Sequence, residues 1–366
     1  MTGTLAAVTT ATIVVPNYNH AHYLPDCLGS IAAQTRAPDE VIVIDDASTD
    51  NSVEIIETIL AGKPNWRFIR NNERRGVIAR LNDGLTEAKS DWVLFLGADD
   101  GLLPNFLESA LDQIRAAPSA GLISACATVV DGTGRLAVRP AILPITSAGY
   151  VSAERFRQLL AFSDNFFPGT VTLYRQAALT ALGGFNPTLG SLTDSFAARR
   201  LAARLGFSFI PEVLGFWRYH GANLSIALAN DSEAVEQMID KAKSVLANEP
   251  PGVFPARYAR DFERRLRFGA ARILILGNNL PPDGRAVALG DILGAGQFQR
   301  ALLRTAMKLG ALGRFGALAW SSLRLRPFSL YRLGLEPLRR YFFMSRHKVS
   351  RARPPAENLT VLRRNA

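Results

Sequence analysis

Cysteine and histidine are scarce in this sequence, and their scarcity excludes several kinds of site. The 366 residues include two cysteines and four histidines. Cys27 and Cys126 cannot form a disulfide framework, and neither belongs to the Cys-x-x-Cys or Cys/His clusters that hold zinc. We therefore expect a protein of a reducing compartment that is built on neither disulfides nor zinc.

Long apolar runs are also missing. No window reaches the roughly 18 uninterrupted apolar residues that indicate a membrane-spanning helix. The strongest candidate, residues 302–323, is interrupted by Arg304, Lys308 and Arg314, so we expect it at most to lie on a membrane. The N-terminus lacks the basic start, apolar middle and small-residue cleavage site of a secretory signal peptide, which predicts a cytoplasmic protein.

Acidic residues become scarce in the last third of the chain. Lys and Arg number 20 against 26 Asp and Glu over residues 1–249, and 22 against 6 over residues 250–366, for net charges of −6 and +16. So basic a segment is typical of a surface that meets a polyanion or an anionic membrane. Aromatics among its arginines, such as Trp320 and Tyr341, suit an interfacial helix, and no nucleic-acid-binding signature accompanies them. The alternative is a solvated, Arg-rich helical surface.

Short apolar runs alternate with helical periodicity over the first 120 residues. Runs at 12–16, 40–44, 66–70 and 92–96 predict strands, and the segments between them carry apolar residues at spacings of three and four. This alternation indicates a parallel α/β sheet with right-handed crossovers. Residues 233–247, 256–275, 301–323 and 337–346 have helical patterns. We predict an α/β domain over residues 1–229 and a basic, mainly helical region over residues 230–366.

Two adjacent carboxylates follow the fourth predicted strand. The run Val93–Leu96 shows no alternation, as in a strand covered on both faces, and ligands of such sheets lie at the carboxyl ends of the strands. Asp99 and Asp100 repel each other, and a divalent cation with oxygen ligands is the usual counter-charge. They are candidate metal ligands. The alternative is an ordinary turn with an N-cap Asp and Pro104 in the first helical turn.

Six short motifs follow one another in the first 226 residues. They are Pro16-x-Tyr18-Asn19, Asp45-Asp46-Ala47-Ser48-x-Asp50, Gly97-Ala98-Asp99-Asp100, Gly184-Phe185, Thr193-Asp194 and Arg218-x-His220-x-x-Asn223-x-Ser225. Together they resemble the inverting family 2 glycosyltransferases, which have the GT-A fold. The resemblance covers about residues 8–226. It implies transfer of a sugar from a nucleotide diphosphosugar to a hydroxyl, with inversion at the anomeric carbon.

The resemblance also implies a donor-binding set. Pro16 and Asn19 would line the nucleotide pocket, and Asp46 would accept the N–H of a uracil or thymine base. Tyr18 and Asp45 belong to the same motifs. The set is completed by Arg80 and Asn82, on the helix that flanks the donor, and by Arg218, on the loop that closes over the diphosphate.

On the reacting side, the resemblance implies that Asp99 and Asp100 hold the ribose and a Mg²⁺ or Mn²⁺ ion, with His220 as a further metal- or diphosphate-side residue. Asp194 would be the general base. The chemistry supports these roles, since a cation neutralises the charge that builds on the leaving diphosphate and a single displacement needs one base on the acceptor side. The alternative is that Asp194 serves only as the N-cap of a helix.

Three features depart from the family pattern. Gly97 stands where the family usually has Asp, and Thr193 stands where an acidic residue often precedes the base. The Gln-x-x-Arg-Trp motif of processive synthases is missing downstream, so we expect transfer of one sugar per encounter.

The leading hypothesis is a metal-assisted, non-processive enzyme of cell-envelope polysaccharide biosynthesis. It would be peripheral at the inner face of the cell membrane and act on a lipid-linked or cell-surface glycan. One alternative is a non-catalytic nucleotide-sugar-binding or membrane scaffold relative. Another, a nucleotidyltransferase, is disfavoured because the first strand runs into Pro16–Asn19 rather than a Gly-rich, basic loop.

Overall fold

The structure is a computed structural model that describes residues 9–130, 136–140, 143–219, 231–277 and 280–325. Several sequence-based predictions therefore lie outside the described residues. They are the domain boundary near residue 230, the helix at 337–346, the role of His220, and the motif positions Asn223 and Ser225.

Strands and helices alternate as predicted in the first half of the chain. The strands are β1 (Ala11–Asn17), β2 (Glu40–Asp45), β3 (Trp66–Arg70), β4 (Trp92–Phe95), β5 (Gly101–Leu102), β6 (Leu122–Val130), β7 (Leu136–Arg139), β8 (Gly149–Val151), β9 (Thr172–Arg175) and β10 (Phe207–Arg218). The helices up to residue 205 are α1 (Leu24–Ala32), α2 (Ser52–Leu60), α3 (Val77–Glu87), α4 (Phe106–Ala116), α5 (Ala153–Leu159), α6 (Gln176–Ala181) and α7 (Thr193–Leu205).

These ten strands form one sheet in the order β3-β2-β1-β4-β9-β6-β10-β5, with β7 beside β6 and β8 beside β10. Strands β1 to β4 run parallel to one another, and β6 and β10 are parallel to each other. Strand β9 runs antiparallel between β4 and β6. The predicted α/β fold with parallel central strands is confirmed, and the carboxyl ends of β1, β2 and β4 meet at one edge.

Side chains of the central strands alternate between two apolar layers. In β1, Val14 packs into a core shared with α3 and α7, whereas Ile13 and Val15 pack into a core shared with α1 and α4. Both layers are buried, so successive residues of a strand, which face opposite layers, are equally apolar. This explains why the runs lack the alternation of a half-exposed strand.

The C-terminal region is helical, as predicted. Its helices are α8 (Ser232–Ala247), α9 (Tyr258–Leu276), α10 (Pro282–Ile292), α11 (Gln297–Lys308) and α12 (Gly310–Leu325). They enclose a third apolar core, while Tyr258 and Phe262 of α9 reach the core beneath the sheet. Among the described helices, none is long and apolar enough to cross a membrane.

Two predictions about these helices were wrong. The pattern at 301–323 is two helices and not one, because the chain turns at Leu309 and Gly310, where Gly310 has a φ of 63° that glycine adopts without strain. Helix α10 was missed, because the sequence analysis assigned no helical pattern between residues 275 and 301. Pro282 begins that helix, where a missing N–H costs no hydrogen bond.

Candidate active site

The loops after β1 and β2 are tied together by short hydrogen bonds. Asp45 is fully buried, and its carboxylate accepts hydrogen bonds from Asn17 Nδ2 at 2.7 Å and the Ser48 amide at 2.8 Å. Asn19, with a φ of 55°, accepts from the Thr49 amide at 2.8 Å. Asp45 and Asn19 therefore shape the predicted nucleotide pocket through contacts within the chain.

Asp46 is held by the segment that follows β3. Its carboxylate accepts hydrogen bonds from the Arg75 and Gly76 amides, both at 2.8 Å, and from Arg80 Nε at 2.6 Å. Although burial opposes the change, these hydrogen bonds and the Arg80 charge lower the pKa of Asp46 below its usual value. Asp46 and Arg80 form a buried ion pair. This ion pair anchors the Arg80 side chain to Asp46. Recognition of the nucleotide base by Asp46 stays a prediction.

Aromatic and amide contacts complete the predicted donor side. Pro16 and Tyr18 are half-buried at the end of β1, and the Arg74 guanidinium lies 3.9 Å from the Tyr18 ring centroid. Asn82 exchanges hydrogen bonds with the backbone N–H and C=O of Phe185 at 2.8 and 2.9 Å. It therefore binds α3 to the Gly184-Phe185 turn, a contact that sequence alone did not indicate.

The two adjacent acids after β4 have different surroundings. Asp100 is buried, and its two oxygens accept from Thr170 Oγ1 at 2.8 Å and the Arg218 amide at 3.0 Å. Burial, with the Asp99 charge beside it, raises the pKa of Asp100 to about 8. Asp99 is half-buried. Burial therefore disfavours the ionised form of Asp100, and Asp99 is the more accessible carboxyl of the two.

Arg218 connects the tip of β4 to α1. Its Nε donates to the Asp99 carbonyl at 2.8 Å, and its Nη2 lies 3.1 Å from an oxygen of Asp26. The guanidinium lies 5.0 Å from the Tyr23 ring centroid. The structure thus places Arg218 at the acidic tip, as expected for a diphosphate-side residue. The sequence did not indicate Asp26 and Tyr23 as its neighbours.

Gly97 leaves little room for a side chain. A Cβ there would lie 2.8 Å from Asp99 Oδ1 and 3.3 Å from Asp100 Oδ2. Oxygens of both carboxylates thus lie close to the position that a Cβ of residue 97 would occupy. An Asp at this position would require Asp99 to move.

The carboxylates at the β4 tip fit a divalent cation only if a bound substrate supplies further oxygen ligands. The described residues contain no group of three or more His, Cys, Asp or Glu side chains that could hold a metal. Mg²⁺ is usually held by one or two carboxylates together with substrate phosphates, and Asp99 supplies such a carboxylate. Asp99 and Asp100 are brought together as predicted, and His220 lies outside the described residues.

Asp194 lies half-buried in the first turn of α7. Its Oδ1 accepts from the Ser195 amide at 2.6 Å, which is not capping geometry, since an N-cap side chain bonds amides two or three residues ahead. Burial raises the pKa of its carboxyl, against the lowering effects of the Ser195 amide and of Arg199. The reading of Asp194 as an N-cap alone is therefore wrong.

One backbone segment brings Asp194 and Asp100 to the same site. A Cβ on Gly169 would lie 2.9 Å from Asp194 Oδ2, so the carboxylate lies directly against this glycine. The next residue, Thr170, donates to Asp100. The predicted base and the predicted metal site thus flank a single dipeptide, although 94 residues separate Asp194 from Asp100 in the sequence.

A cluster of buried charged and polar side chains connects α7 to neighbouring segments. Arg199 Nε donates to the Asp164 carbonyl at 2.8 Å, and Asp164 Oδ2 lies 3.1 Å from Tyr258 Oη and 3.5 Å from Arg265 Nη1. All four residues are at most 9% exposed. Sequence reasoning missed this cluster, since its members lie on three separate segments.

Comparison with known proteins decides the family. The model of glycosyl transferase family 2 matches residues 12–183, which include the β1, β2 and β4 tips. An uncharacterized glycosyltransferase of Nostoc sp. (strain PCC 7120) is 26% identical over 262 residues, covering 70% of this chain and 77% of that protein. The chain belongs to glycosyltransferase family 2.

Other relatives match over a shorter segment. A PGL/p-HBAD biosynthesis glycosyltransferase of Mycobacterium bovis (strain BCG / Pasteur 1173P2) is 38% identical over 90 residues. Those residues are 25% of this glycosyltransferase and 35% of the mycobacterial protein.

Solved structures share the fold of this glycosyltransferase. Residues 1–349 of Staphylococcus aureus TarS, in complex with UDP-GlcNAc, align with a TM-score of 0.57 at 18% identity and cover 87% of this chain and 92% of that one. The mannosyltransferase PcManGT of Pyrobaculum calidifontis, in complex with GDP-Man and Mn²⁺, aligns at 0.54 and 22%, over 86% and 85%. At these identities the likeness shows the fold alone, and it agrees with the predicted GT-A architecture.

Proposed function

We propose that this glycosyltransferase moves one sugar per encounter from a UDP- or dTDP-type nucleotide diphosphosugar to a hydroxyl, with inversion and with Asp194 as the general base. The observation that carries the proposal is the Gly169-Thr170 dipeptide, because Asp194 lies against Gly169 and Asp100 accepts a hydrogen bond from Thr170. A base and an acidic diphosphate side within one site are what a single displacement requires.

In the proposed mechanism, the paired loops after β1 and β2 receive the nucleotide, with Pro16, Tyr18 and Asn19 around it. Arg218, fixed to the Asp99 carbonyl, orients the diphosphate. A Mg²⁺ or Mn²⁺ ion held by Asp99, with Asp100 and His220 as further ligand candidates, would neutralise charge on the leaving group. Asp194 accepts the proton of the acceptor hydroxyl as that oxygen attacks the anomeric carbon.

The C-terminal half suggests where the acceptor is located. We propose a lipid-linked or cell-surface glycan acceptor and a peripheral position at the inner face of the cell membrane. The net charge of +16 over residues 250–366 supports this, since anionic leaflets attract such segments. We also retain the division into a GT-A domain, residues 1–229, and a basic helical region, residues 230–366.

One observation favours a second candidate, a non-catalytic nucleotide-sugar-binding relative. Gly97 supplies no carboxylate, and the described residues hold no three-ligand metal group. Asp194 argues against this candidate, because a protein that only binds the donor needs no base.

The test is release of nucleoside diphosphate from UDP-, dTDP- and GDP-sugars, with Mg²⁺, Mn²⁺ or chelator. We expect slow metal-dependent hydrolysis of one donor, lost in Asp194→Asn by a factor of about 10² to 10⁴ and retained in Asp112→Asn, an exposed acid on α4. If the donor sugar is α-linked, NMR should show that the free sugar is released first as the β anomer. Donor binding without turnover, even with membrane extract as acceptor, would establish the non-catalytic candidate instead.

A further inference from the structure

Helices α11 and α12 each bury one side and expose an apolar stripe on the other. Leu303 and Met307 of α11 and Ala317 of α12 are buried in the C-terminal core. The exposed stripes consist of Phe298, Leu302 and Leu309, which are 76%, 55% and 63% exposed, and of Leu312, Phe315 and Leu323, which are 86%, 73% and 59% exposed. We call these six side chains the apolar face.

The spacing of the apolar face follows the helix period. Phe298 and Leu302 are four residues apart, and Leu312 and Phe315 are three apart, so each pair lies on one side of its helix. Single exposed leucines are ordinary, but six large exposed apolar side chains, five on two consecutive helices and Leu309 at the turn between them, indicate an interaction surface.

The helices that carry the apolar face have charges of one sign, although Lys308 and Arg300 pair with Asp283 and Asp291 of α10. Residues 297–325 include five Lys or Arg and no Asp or Glu, namely Arg300, Arg304, Lys308, Arg314 and Arg324. Residues 326–366 add ten basic and two acidic residues. A second copy of this chain would bring the same positive charge and be repelled. An anionic leaflet complements both properties, since it offers phosphates for the arginines and acyl chains for the leucines and phenylalanines.

We propose that the apolar face rests in the headgroup region of an anionic membrane, with Arg304 near the lipid phosphates. The inference rests on the proposed function, because an acceptor carried by lipid explains why the enzyme would lie on a membrane. It goes further by naming the docking surface, and it places the contact on α11 and α12 rather than on the sheet.

The experiment is flotation of the full chain with vesicles of phosphatidylcholine, alone or mixed with phosphatidylglycerol. We expect binding to the mixed vesicles only. Leu312→Gln with Phe315→Gln should weaken it by about tenfold or more, because two inserted side chains are lost. Arg304→Gln should weaken it at low salt and have little effect at high salt. Leu205→Gln, at a 38% exposed position at the end of α7, is the matched control and should bind as wild type.

Two results would overturn the docking surface. One is failure of the wild type to bind anionic vesicles, or equal binding by the double variant. The other is a dimer in sedimentation velocity that the double variant abolishes, which would assign the face to a second copy. Donor hydrolysis without lipid is measured in parallel and should not change in the double variant. Vesicle binding without hydrolysis would support the surface while overturning the proposed function.

Discussion

At the scale of single residues, Asp194 combines a chemical role with a cost in stability. Burial raises the pKa of its carboxyl, so the folded protein disfavours the ionised form that the reaction needs. For an acid with a raised folded pKa, stability is greatest below the unfolded pKa and falls as pH rises through the folded pKa.

We expect Asp194→Asn to unfold at a higher temperature than wild type near pH 7, with the difference shrinking toward pH 3. Asparagine removes the buried charge while it keeps the shape of the side chain. The measurement is thermal unfolding followed by circular dichroism across this pH range. Equal unfolding temperatures at every pH would show that the Asp194 carboxylate is not destabilised by its site.

Gly97 offers a second test at this scale. We expect Gly97→Ala to lower kcat/KM by roughly ten- to a hundredfold, since the new methyl group displaces Asp99 and catalysis is sensitive to shifts below 1 Å. Gly29→Ala on α1 is the matched control, because nothing lies within 4 Å of its added Cβ. Steady-state donor hydrolysis compares the two variants. Equal kcat/KM values would show that a methyl group at position 97 does not displace Asp99.

At the scale of elements, α7 is positioned by the buried contacts of Arg199. Arg199 donates to the Asp164 carbonyl and has the Phe196 and Phe262 rings within 5.4 and 5.8 Å. Its charge also favours the ionised form of Asp194. We therefore regard Arg199 as a positioning residue for the base.

Replacing Arg199 should change the pH dependence of the reaction. In Arg199→Met the pKa of Asp194 loses a lowering influence, so the acidic limb of the pH–kcat/KM profile should move to higher pH. Arg199→Lys should restore part of the shift. A uniform loss of activity with an unchanged profile would mean that Arg199 serves only the packing of α7.

At the scale of the whole molecule, the sheet and the C-terminal helices share a core. Phe262 of α9 is 3% exposed and lies edge-on to Phe196 of α7, at 5.1 Å between ring centroids. Two half-buried arginines of α7, Arg200 and Arg204, also pair with the carboxylate of Glu249 after α8. The C-terminal helices thus help to hold the helix that carries the base.

This shared core predicts cooperative unfolding. Phe262→Ala should lower the free energy of unfolding by about 3–5 kcal/mol, with coincident transitions in tryptophan fluorescence and far-UV circular dichroism. The exposed Phe298→Ala should change it by no more than about 0.5 kcal/mol. Urea denaturation of both variants checks this, and two separate transitions in the wild type would contradict the shared core.

Properties that depend on neighbours in the chain could be predicted from the sequence. Apolar runs and helical spacing identified β1 to β4 and α1 to α4, since dry strands and amphipathic helices leave local patterns. Ordered motifs identified the family, and charge counts identified the basic C-terminal half. The break at Gly310 escaped prediction because a single glycine in an apolar helical pattern gives a weak local signal.

Only the tertiary structure decided which partner each polar group has. The Asp100 carboxylate depends on Thr170 and the Arg218 amide, 70 and 118 residues away, and the Asp46 carboxylate depends on Arg80. Such contacts form because buried polar groups must be hydrogen-bonded, and that requirement leaves open which residue meets it. The sequence by itself determined the sheet, the family and the candidate acids. Folding decided that burial raises the pKa of Asp100 and that Asp194 lies against Gly169.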